Sequence, residues 1–168
     1  ADFDLLPEDG RRHELLDGAI VVTPAPGAAH QRMVLGLAVA LRECLWNTDL
    51  ELMLGPFDVV LGDNVVEPDL LVARRSDITE RELPGAPVLA VEVRSPGTRW
   101  TDEGRKRELY AASSVACYWL VDPVEPAVTV LELIDGAYQT AAIAHGDEAV
   151  RVTCPVPMEL NPAVLARG

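Results

Sequence analysis

Apolar and polar positions alternate along two parts of the chain in a way that predicts β-hairpins. Residues 13–24 and 127–144 each place an Asp-Gly pair, a favoured two-residue turn, between apolar flanks. Between these segments, residues 28–46 carry apolar side chains three and four positions apart, which predicts an amphipathic helix. His30 lies at the start of this helix, four residues before Val34 and on the same face.

The other apolar runs predict further strands and a second helix. Strands are predicted over residues 51–62, with a Gly-Pro interruption, and over residues 65–74, 88–95, 116–123 and 148–154. A polar loop is predicted over residues 76–87, a helix from Thr101 to about residue 113, and a short helix start at residues 161–166. The strand, helix and strand within residues 88–122 predict a parallel pair with a right-handed crossover. We therefore expect an α/β fold in which helices pack on a mixed central β-sheet, and the length predicts a single domain over residues 1–168.

Composition narrows the class of protein. With 14 basic and 27 acidic residues the formal net charge is −13, so the average field repels nucleic acid, and phosphate binding needs a local basic patch or metal ions. Three cysteines, Cys44, Cys117 and Cys154, are far apart and odd in number, which favours reduced thiols over disulfides or zinc ligands. Apolar runs fall short of the roughly 18 residues of a membrane span, and the acidic N-terminal segment is unlike a signal peptide. We expect a cytoplasmic protein without a membrane partner.

A glutamate inside an apolar strand is the first sign of a functional site. Glu92 shares a strand face with Ala90 and Arg94, and a carboxylate buried there without a partner would be costly. Asp69 follows a proline in the strand predicted over residues 65–74, and it meets Glu92 if the two strands are neighbours. Two carboxylates and a main-chain carbonyl would form a site of hard oxygen ligands suited to Mg²⁺.

The single lysine of the chain lies on the helix that follows this strand. Lys106 is four residues from both Asp102 and Tyr110, so the three side chains form one stripe. If the stripe faces the sheet, Lys106 reaches the carboxylates, where an amine can hold a water molecule or neutralise a phosphate. Arg94 can bind phosphate, but its guanidinium stays protonated and cannot transfer protons.

Several segments, taken in order, resemble one known family. The chain contains HELLDG, His30, EPDLLV, VEVRSP, DEGRK and YAASSVACYWLVDP in that order. From about residue 4 to 145 it resembles the Uma-two family of bacterial endonuclease-like proteins, which belongs to the PD-(D/E)XK restriction-endonuclease-like superfamily. The resemblance implies a restriction-endonuclease-like fold with extra β-hairpins and a metal-dependent endonuclease that cleaves phosphodiester bonds, with DNA as the expected partner.

The resemblance also implies roles for the matched residues. Asp69 and Glu92 take the two acidic positions and would bind Mg²⁺ or Mn²⁺ together with the carbonyl of Val93, while Glu14 matches an early glutamate that completes the metal sphere. The superfamily usually places a lysine two residues after the second acid, where this chain has Arg94.

In this family the lysine is displaced to the following helix, which corresponds here to the pair Asp102 and Lys106. Lys106 would assist the nucleophilic water, and Asp102 would hold Lys106. The expected nucleic-acid contacts are Arg94, Arg99, Arg105 and His30.

The residues also permit other interpretations. Glu14 is either a ligand or a surface residue, Glu92 could lie in solvent or pair with Arg94, and Lys106 could be an exposed helix lysine paired with Asp102. The presence of Arg94 and the net charge of −13 favour a second hypothesis, a catalytically inactive protein that acts by binding or self-association. The apolar hairpin over residues 127–144 suggests a homodimer.

Overall fold

The computed structural model describes residues 11–95 and 102–168. Its helices are α1 (Ala28–Leu45), α2 (Arg107–Ala112) and α3 (Pro162–Leu165), with a 3₁₀ turn at Arg75–Asp77 and a π-helical turn at Asp102–Lys106 that leads into α2. Its strands are β1 (Arg12–Leu16), β2 (Ala19–Thr23), β3 (Leu50–Leu54), β4 (Asp58–Leu61), β5 (Asn64–Val66), β6 (Leu70–Arg74), β7 (Glu82–Leu83), β8 (Leu89–Val93), β9 (Cys117–Asp122), β10 (Ala127–Ile134), β11 (Ala137–His145), β12 (Val150–Val152) and β13 (Met158–Leu160).

Two sheets contain most of these strands. The larger sheet has six strands in the order β11-β10-β9-β8-β6-β3, in which β8 and β9 run parallel and the other neighbours run antiparallel. The smaller sheet has the order β2-β1-β5-β4-β7, and β12 pairs with β13 separately. The mixed central sheet, the parallel pair over residues 88–122 and the α/β class predicted from the sequence are confirmed.

Both predicted hairpins are present, and their turns explain the Asp-Gly pairs. Asp17 and Gly18 have φ angles of 50° and 77°, and Asp135 and Gly136 have 50° and 80°. A two-residue turn with positive φ at both positions matches the twist of the flanking strands, and aspartate and glycine tolerate that conformation.

Two predicted strands each divide at a proline into two strands that lie in different sheets. The segment 65–74 forms β5 and β6, which belong to different sheets, and the break contains Glu67, Pro68 and Asp69. The segment 51–62 likewise divides at Gly55-Pro56 into β3 and β4. A proline has no N–H for the ladder, so the chain leaves one sheet and enters the other at these points. The loop predicted over residues 76–87 contains the short strand β7, and β13 was missed.

The two faces of the larger sheet bury separate cores. Helix α1 packs Met33, Leu37 and Leu41 against one face, together with side chains such as Val91 and Trp119. The opposite face packs against the smaller sheet and α2 in a second core, whose buried members include Leu16, Leu71, Ala90, Tyr110 and Tyr118. Alternate residues of β8 enter different cores, which places Glu92 on the face shared with Ala90. Within residues 11–95 and 102–168, no helix combines the length and apolarity needed to cross a membrane.

Candidate active site

Asp69 is a buried carboxylate at the point where the chain enters β6. Its Oδ1 accepts a 2.9 Å hydrogen bond from the Arg12 guanidinium, and its Oδ2 accepts a 2.8 Å bond from the main-chain N–H of Val93. His30 Nε2 lies 3.1 Å from the same Oδ2. Burial raises the pKa of Asp69, but the hydrogen bond with His30 and the charge of Arg12 lower it by more, so the net pKa is below its ordinary value. Asp69 is therefore ionised at neutral pH.

Glu92 shares one oxygen between two donors from the following helical segment. Its Oε1 accepts hydrogen bonds from the Lys106 amine and the Tyr110 hydroxyl, each 2.9 Å long. Burial and the negative charge of Glu92 raise the pKa of Tyr110 well above its ordinary value, so the hydroxyl remains a donor. The predicted pairing of a helical lysine with the strand carboxylate is thus present in the structure.

Glu14 brings a third carboxylate from the smaller sheet. Its Oε1 lies 2.8 Å from the Lys106 amine and accepts a 2.7 Å hydrogen bond from the main-chain N–H of Glu67. Glu14, Glu92 and Lys106 are each only 2% exposed. Lys106 therefore forms a buried bridge between β1 of one sheet and β8 of the other.

A second ion pair lies beside this bridge. The Arg12 Nε is 3.7 Å from Oε2 of Glu67, while its other guanidinium nitrogen holds Asp69. Burial lowers the pKa of Arg12, but the carboxylates of Asp69, Glu92 and Glu14 raise it by more. Burial also raises the pKa of Glu67 to about 7, although the charge of Arg12 opposes the shift. Glu67 is thus partly protonated near neutral pH.

A cavity of about 590 Å³ lies against the two ion-pair clusters. The polar lining includes Arg11, Arg12, Glu14, Asp69, Glu92 and Lys106. The apolar lining includes Pro24, Pro26, Val34 and Pro56, and the start of α1 contributes Gly27 and His30. A cavity of this size, with several convergent polar groups and apolar walls, has the dimensions of a small-ligand site.

Gly55 allows the chain to approach Asp69 closely at one edge of the cavity. The Gly55 N–H donates a 2.9 Å hydrogen bond to the main-chain oxygen of Asp69. A Cβ at this position would lie 2.7 Å from the main-chain oxygen of Pro68 and 3.0 Å from the Arg12 guanidinium. Only glycine fits this approach without moving the backbone that carries Asp69.

The structure places four predicted residues, Glu14, Asp69, Glu92 and Lys106, in one cavity wall. The interpretations in which Glu14 or Lys106 is exposed, or Glu92 lies in solvent, are wrong, since all three are buried. His30 lies on the cavity and contacts Asp69.

The arginines that were predicted to contact nucleic acid do not join these residues in the described cavity wall. Arg105 pairs with Asp17 at 3.3 Å, and the described cavity lining includes neither Arg105 nor the half-buried Arg94. Arg99 and the side chain of Asp102 lie outside the described residues.

Arg12 and Glu67 are site residues that the sequence reasoning missed. Arg12 and Glu14 are two residues apart on β1, so their side chains share a face. This spacing of two residues could have indicated that Arg12 lies in the same site as Glu14. Glu67 has the same spacing from Asp69, but both lie in the break between β5 and β6, so the environment of Glu67 depends on the path of the chain between two sheets.

The donor chemistry of the cavity fits a hard divalent cation. Asp69 and Glu92 lie at neighbouring positions where β6 pairs with β8, since the last ladder pair joins Leu70 to Val91. Carboxylate and main-chain carbonyl oxygens are the ligands that Mg²⁺ and Mn²⁺ prefer. Within residues 11–95 and 102–168, however, no group of three or more His, Cys, Asp or Glu residues is arranged to hold a metal ion. In this conformation Arg12 and Lys106 hold carboxylate oxygens that a cation would use.

Comparisons with known proteins agree with this fold. A family model named Uma2, described as "Putative restriction endonuclease", matches residues 1–165. Among solved structures, the chain is similar to "a putative nuclease belonging to DUF820" from Anabaena variabilis ATCC 29413, with a TM-score of 0.75 and 23% sequence identity. The match covers 96% of this chain and 93% of that chain. A comparison with curated proteins found no match. The structural similarity confirms the predicted fold.

Proposed function

Because the chain belongs to the Uma2 family of restriction-endonuclease-like proteins, we propose that it is a metal-dependent endonuclease that hydrolyses nucleic-acid phosphodiester bonds. The observation that carries this proposal is the buried bridge from Glu14 through Lys106 to Glu92, in the same cavity wall as Asp69. Burying a lysine and three carboxylates is costly, and such groups cluster where chemistry requires them.

The proposed ligands of Mg²⁺ or Mn²⁺ are Asp69, Glu92 and the main-chain carbonyl of Val93, with Glu14 as a further ligand. A cation held by these residues would supply positive charge at the phosphate and would lower the pKa of the attacking water. Asp69 is already ionised at neutral pH, because the net effect of its surroundings is a lowered pKa. It can therefore bind a cation without first losing a proton.

Lys106 is proposed to hold the attacking water and to bring positive charge to the phosphate. The carboxylates of Glu14 and Glu92 fix the position of its amine, and the Tyr110 hydroxyl fixes the orientation of Glu92. The water oxygen attacks phosphorus, and the bond to the leaving ester oxygen breaks. Asp102 is proposed to support Lys106 from the preceding turn.

The substrate is proposed to be nucleic acid, with DNA favoured. A chain with a net charge of −13 needs local cations to bind a phosphate backbone. Arg11 and Arg12 line the cavity, and the proposed further contacts are His30, Arg94, Arg99 and Arg105. We also propose that residues 1–168 act as one domain, in a cytoplasmic homodimer.

The proposal is tested by incubating the wild type with plasmid DNA, single-stranded DNA and RNA in Mg²⁺, Mn²⁺ or EDTA. We expect the wild type to cleave with metal and not with EDTA. The cleavage rate of Lys106→Met should be at least 100-fold lower, since this variant lacks the amine. Arg151→Gln is the matched control, because it removes the same charge from an exposed side chain on β12. Equal cleavage by wild type and Lys106→Met would remove Lys106 from the mechanism.

The net charge and Arg94 also favour an alternative, a non-catalytic protein that binds a partner or itself through this scaffold. Calorimetric titration with Mn²⁺ separates the two functions. An endonuclease binds Mn²⁺ and loses that binding in Asp69→Asn. The alternative is supported if neither protein binds metal and neither cleaves any of the three substrates.

A further inference from the structure

Two cations, Lys106 and Arg12, each contact a pair of buried carboxylates in the cavity wall or beside it. Lys106 lies between Glu14 and Glu92, at 2.8 and 2.9 Å. Arg12 lies between Asp69 and Glu67, at 2.9 and 3.7 Å. The four carboxylates thus share two positive side chains.

The two cations are held differently. The Lys106 side chain is 3% exposed, and its contacts with Glu14 and Glu92 are shorter than 3 Å. The Arg12 side chain is 20% exposed, and its contact with Glu67 is long. Arg12 also lines the cavity, so its guanidinium can move towards the open space without crossing packed protein. Of these two cations, Arg12 is therefore the one that can release its carboxylate partner, Asp69.

The oxygen that Arg12 holds belongs to a proposed metal ligand. Oδ2 of Asp69 accepts a hydrogen bond from the Val93 N–H and lies beside Nε2 of His30, while Oδ1 accepts a hydrogen bond from Arg12. A divalent cation that approaches Oδ1 meets the guanidinium first, and two positive charges cannot share that oxygen closely.

We propose that Arg12 is an internal counter-ion of Asp69, which a divalent cation displaces from Oδ1 while the guanidinium stays beside Glu67. The inference rests on the proposed metal-dependent function. Arg12 stabilises the metal-free protein and weakens its affinity for metal, because each cation must replace a charged hydrogen bond. Arg12 affects metal binding through its hydrogen bond to Asp69, so its role is to position that carboxylate.

Arg12→Gln tests the inference through metal binding, without any cleavage assay. In EDTA we expect a lower melting temperature than that of the wild type, because Asp69 loses its charged donor. In Mn²⁺ titrations we expect the Kd to fall about tenfold, the size that a charged hydrogen bond contributes. Arg11→Gln is the matched control, since it removes the same charge from the same cavity lining, and its Kd should change less than about threefold.

An unchanged or raised Kd for Mn²⁺ in Arg12→Gln would overturn the inference. An equal fall in the Kd of Arg11→Gln would also overturn it. If the wild type binds no Mn²⁺, the metal-dependent function itself fails, so the two failures are distinguishable.

A second measurement is made on the wild type, should Arg12→Gln not fold, and it uses the conservative variant Arg12→Lys only to assign the signal. The guanidinium ¹⁵N signal of Arg12, assigned by its loss in Arg12→Lys, should shift and exchange faster with water when Mg²⁺ is added. An Arg12 signal that is unaffected by saturating Mg²⁺ would show that the guanidinium stays on Asp69, and the inference would be wrong.

Discussion

The Lys106 amine donates a 2.9 Å hydrogen bond to Oε1 of Glu92, and both groups are almost completely buried. This pair explains two features of the sequence together, a carboxylate inside an apolar strand and a single lysine on the helix that follows. The carboxylate is tolerated between two sheets because a cation and a hydroxyl reach it there. The lysine reaches it because the helical segment returns over the face of β8 that carries Ala90.

Lys106→Met should destabilise the metal-free protein. The variant leaves Glu14 and Glu92 close together and buried without their shared cation, which costs about 3–5 kcal/mol when one partner of a buried pair is removed. Urea unfolding in EDTA at neutral pH measures the difference in free energy of unfolding. Arg151→Gln should change it by less than about 0.5 kcal/mol. A Lys106→Met protein as stable as the wild type would show that the bridge is not formed in solution.

Tyr110→Phe should weaken the site while keeping its packing. The change removes the hydroxyl that bonds to Glu92 and keeps the ring, whose centroid lies 5.0 Å from that of Tyr118. We expect a loss of about 1–2 kcal/mol in free energy of unfolding, together with reduced metal binding and cleavage. Tyr138→Phe removes a similar buried hydroxyl, which bonds to the Val115 carbonyl, so it should lose stability only. Equal effects of both variants on metal binding would contradict an orienting role for Tyr110.

Glu67 should make stability depend on pH in EDTA. Its pKa rises from 4.5 to about 7 on folding because burial disfavours the charged form. The folded protein therefore binds a proton more tightly than the unfolded chain, so this stabilisation is complete below pH 4.5 and is lost as the pH rises through about 7. In Glu67→Gln this position cannot titrate. The free energy of unfolding of the variant, relative to that of the wild type, should therefore increase by about 1–3 kcal/mol between pH 4.5 and about pH 8.

Parallel urea unfolding curves across this pH range measure that gain. Glu80→Gln, a change at an exposed position, serves as the control and should follow the wild-type pH dependence. A Glu67→Gln curve parallel to that of the wild type would show that Glu67 keeps an ordinary pKa in the folded protein.

Gly36→Ala should strongly destabilise the packing of α1 against α3. A Cβ at Gly36 would lie 2.1 Å from the main-chain oxygen of Leu165, and backbone cannot move aside as a side-chain end can. We expect a loss of at least about 3 kcal/mol, seen as a lower melting temperature. Gly104→Ala is the control, because within residues 11–95 and 102–168 no atom outside the adjoining chain segment lies within 4 Å of the added carbon, and its melting temperature should not fall. A stable Gly36→Ala protein would mean that α3 does not approach α1 this closely.

Local sequence signals were sufficient for most individual elements. The Asp-Gly turns, the period of α1 and the β-prone run of β8 act over a few residues, and each was predicted at close to its observed bounds. The family motifs also indicated Asp69, Glu92, Lys106 and Glu14 as candidates for one site. Their chemical roles remain predictions, which the variants above address.

Long-range pairing decided what the local signals left open. Residues 65–74 were predicted as one strand and residues 51–62 as one strand with a Gly-Pro interruption. Each segment divides between two sheets, because the packing of distant segments determines which strands pair. For the same reason Arg105, adjacent to Lys106 in the chain, turns to Asp17 instead of the cavity.

The sequence by itself determined which chemical groups were available: three carboxylates and one lysine in recognisable motifs, on elements with clear local preferences. Only the tertiary structure decided that Lys106 is shared by Glu14 and Glu92, that Arg12 holds Asp69, and that burial raises the pKa of Glu67. Those contacts join residues from both sheets and from the helical segment around Lys106. They depend on desolvation and on distances between chain segments, which no local pattern encodes.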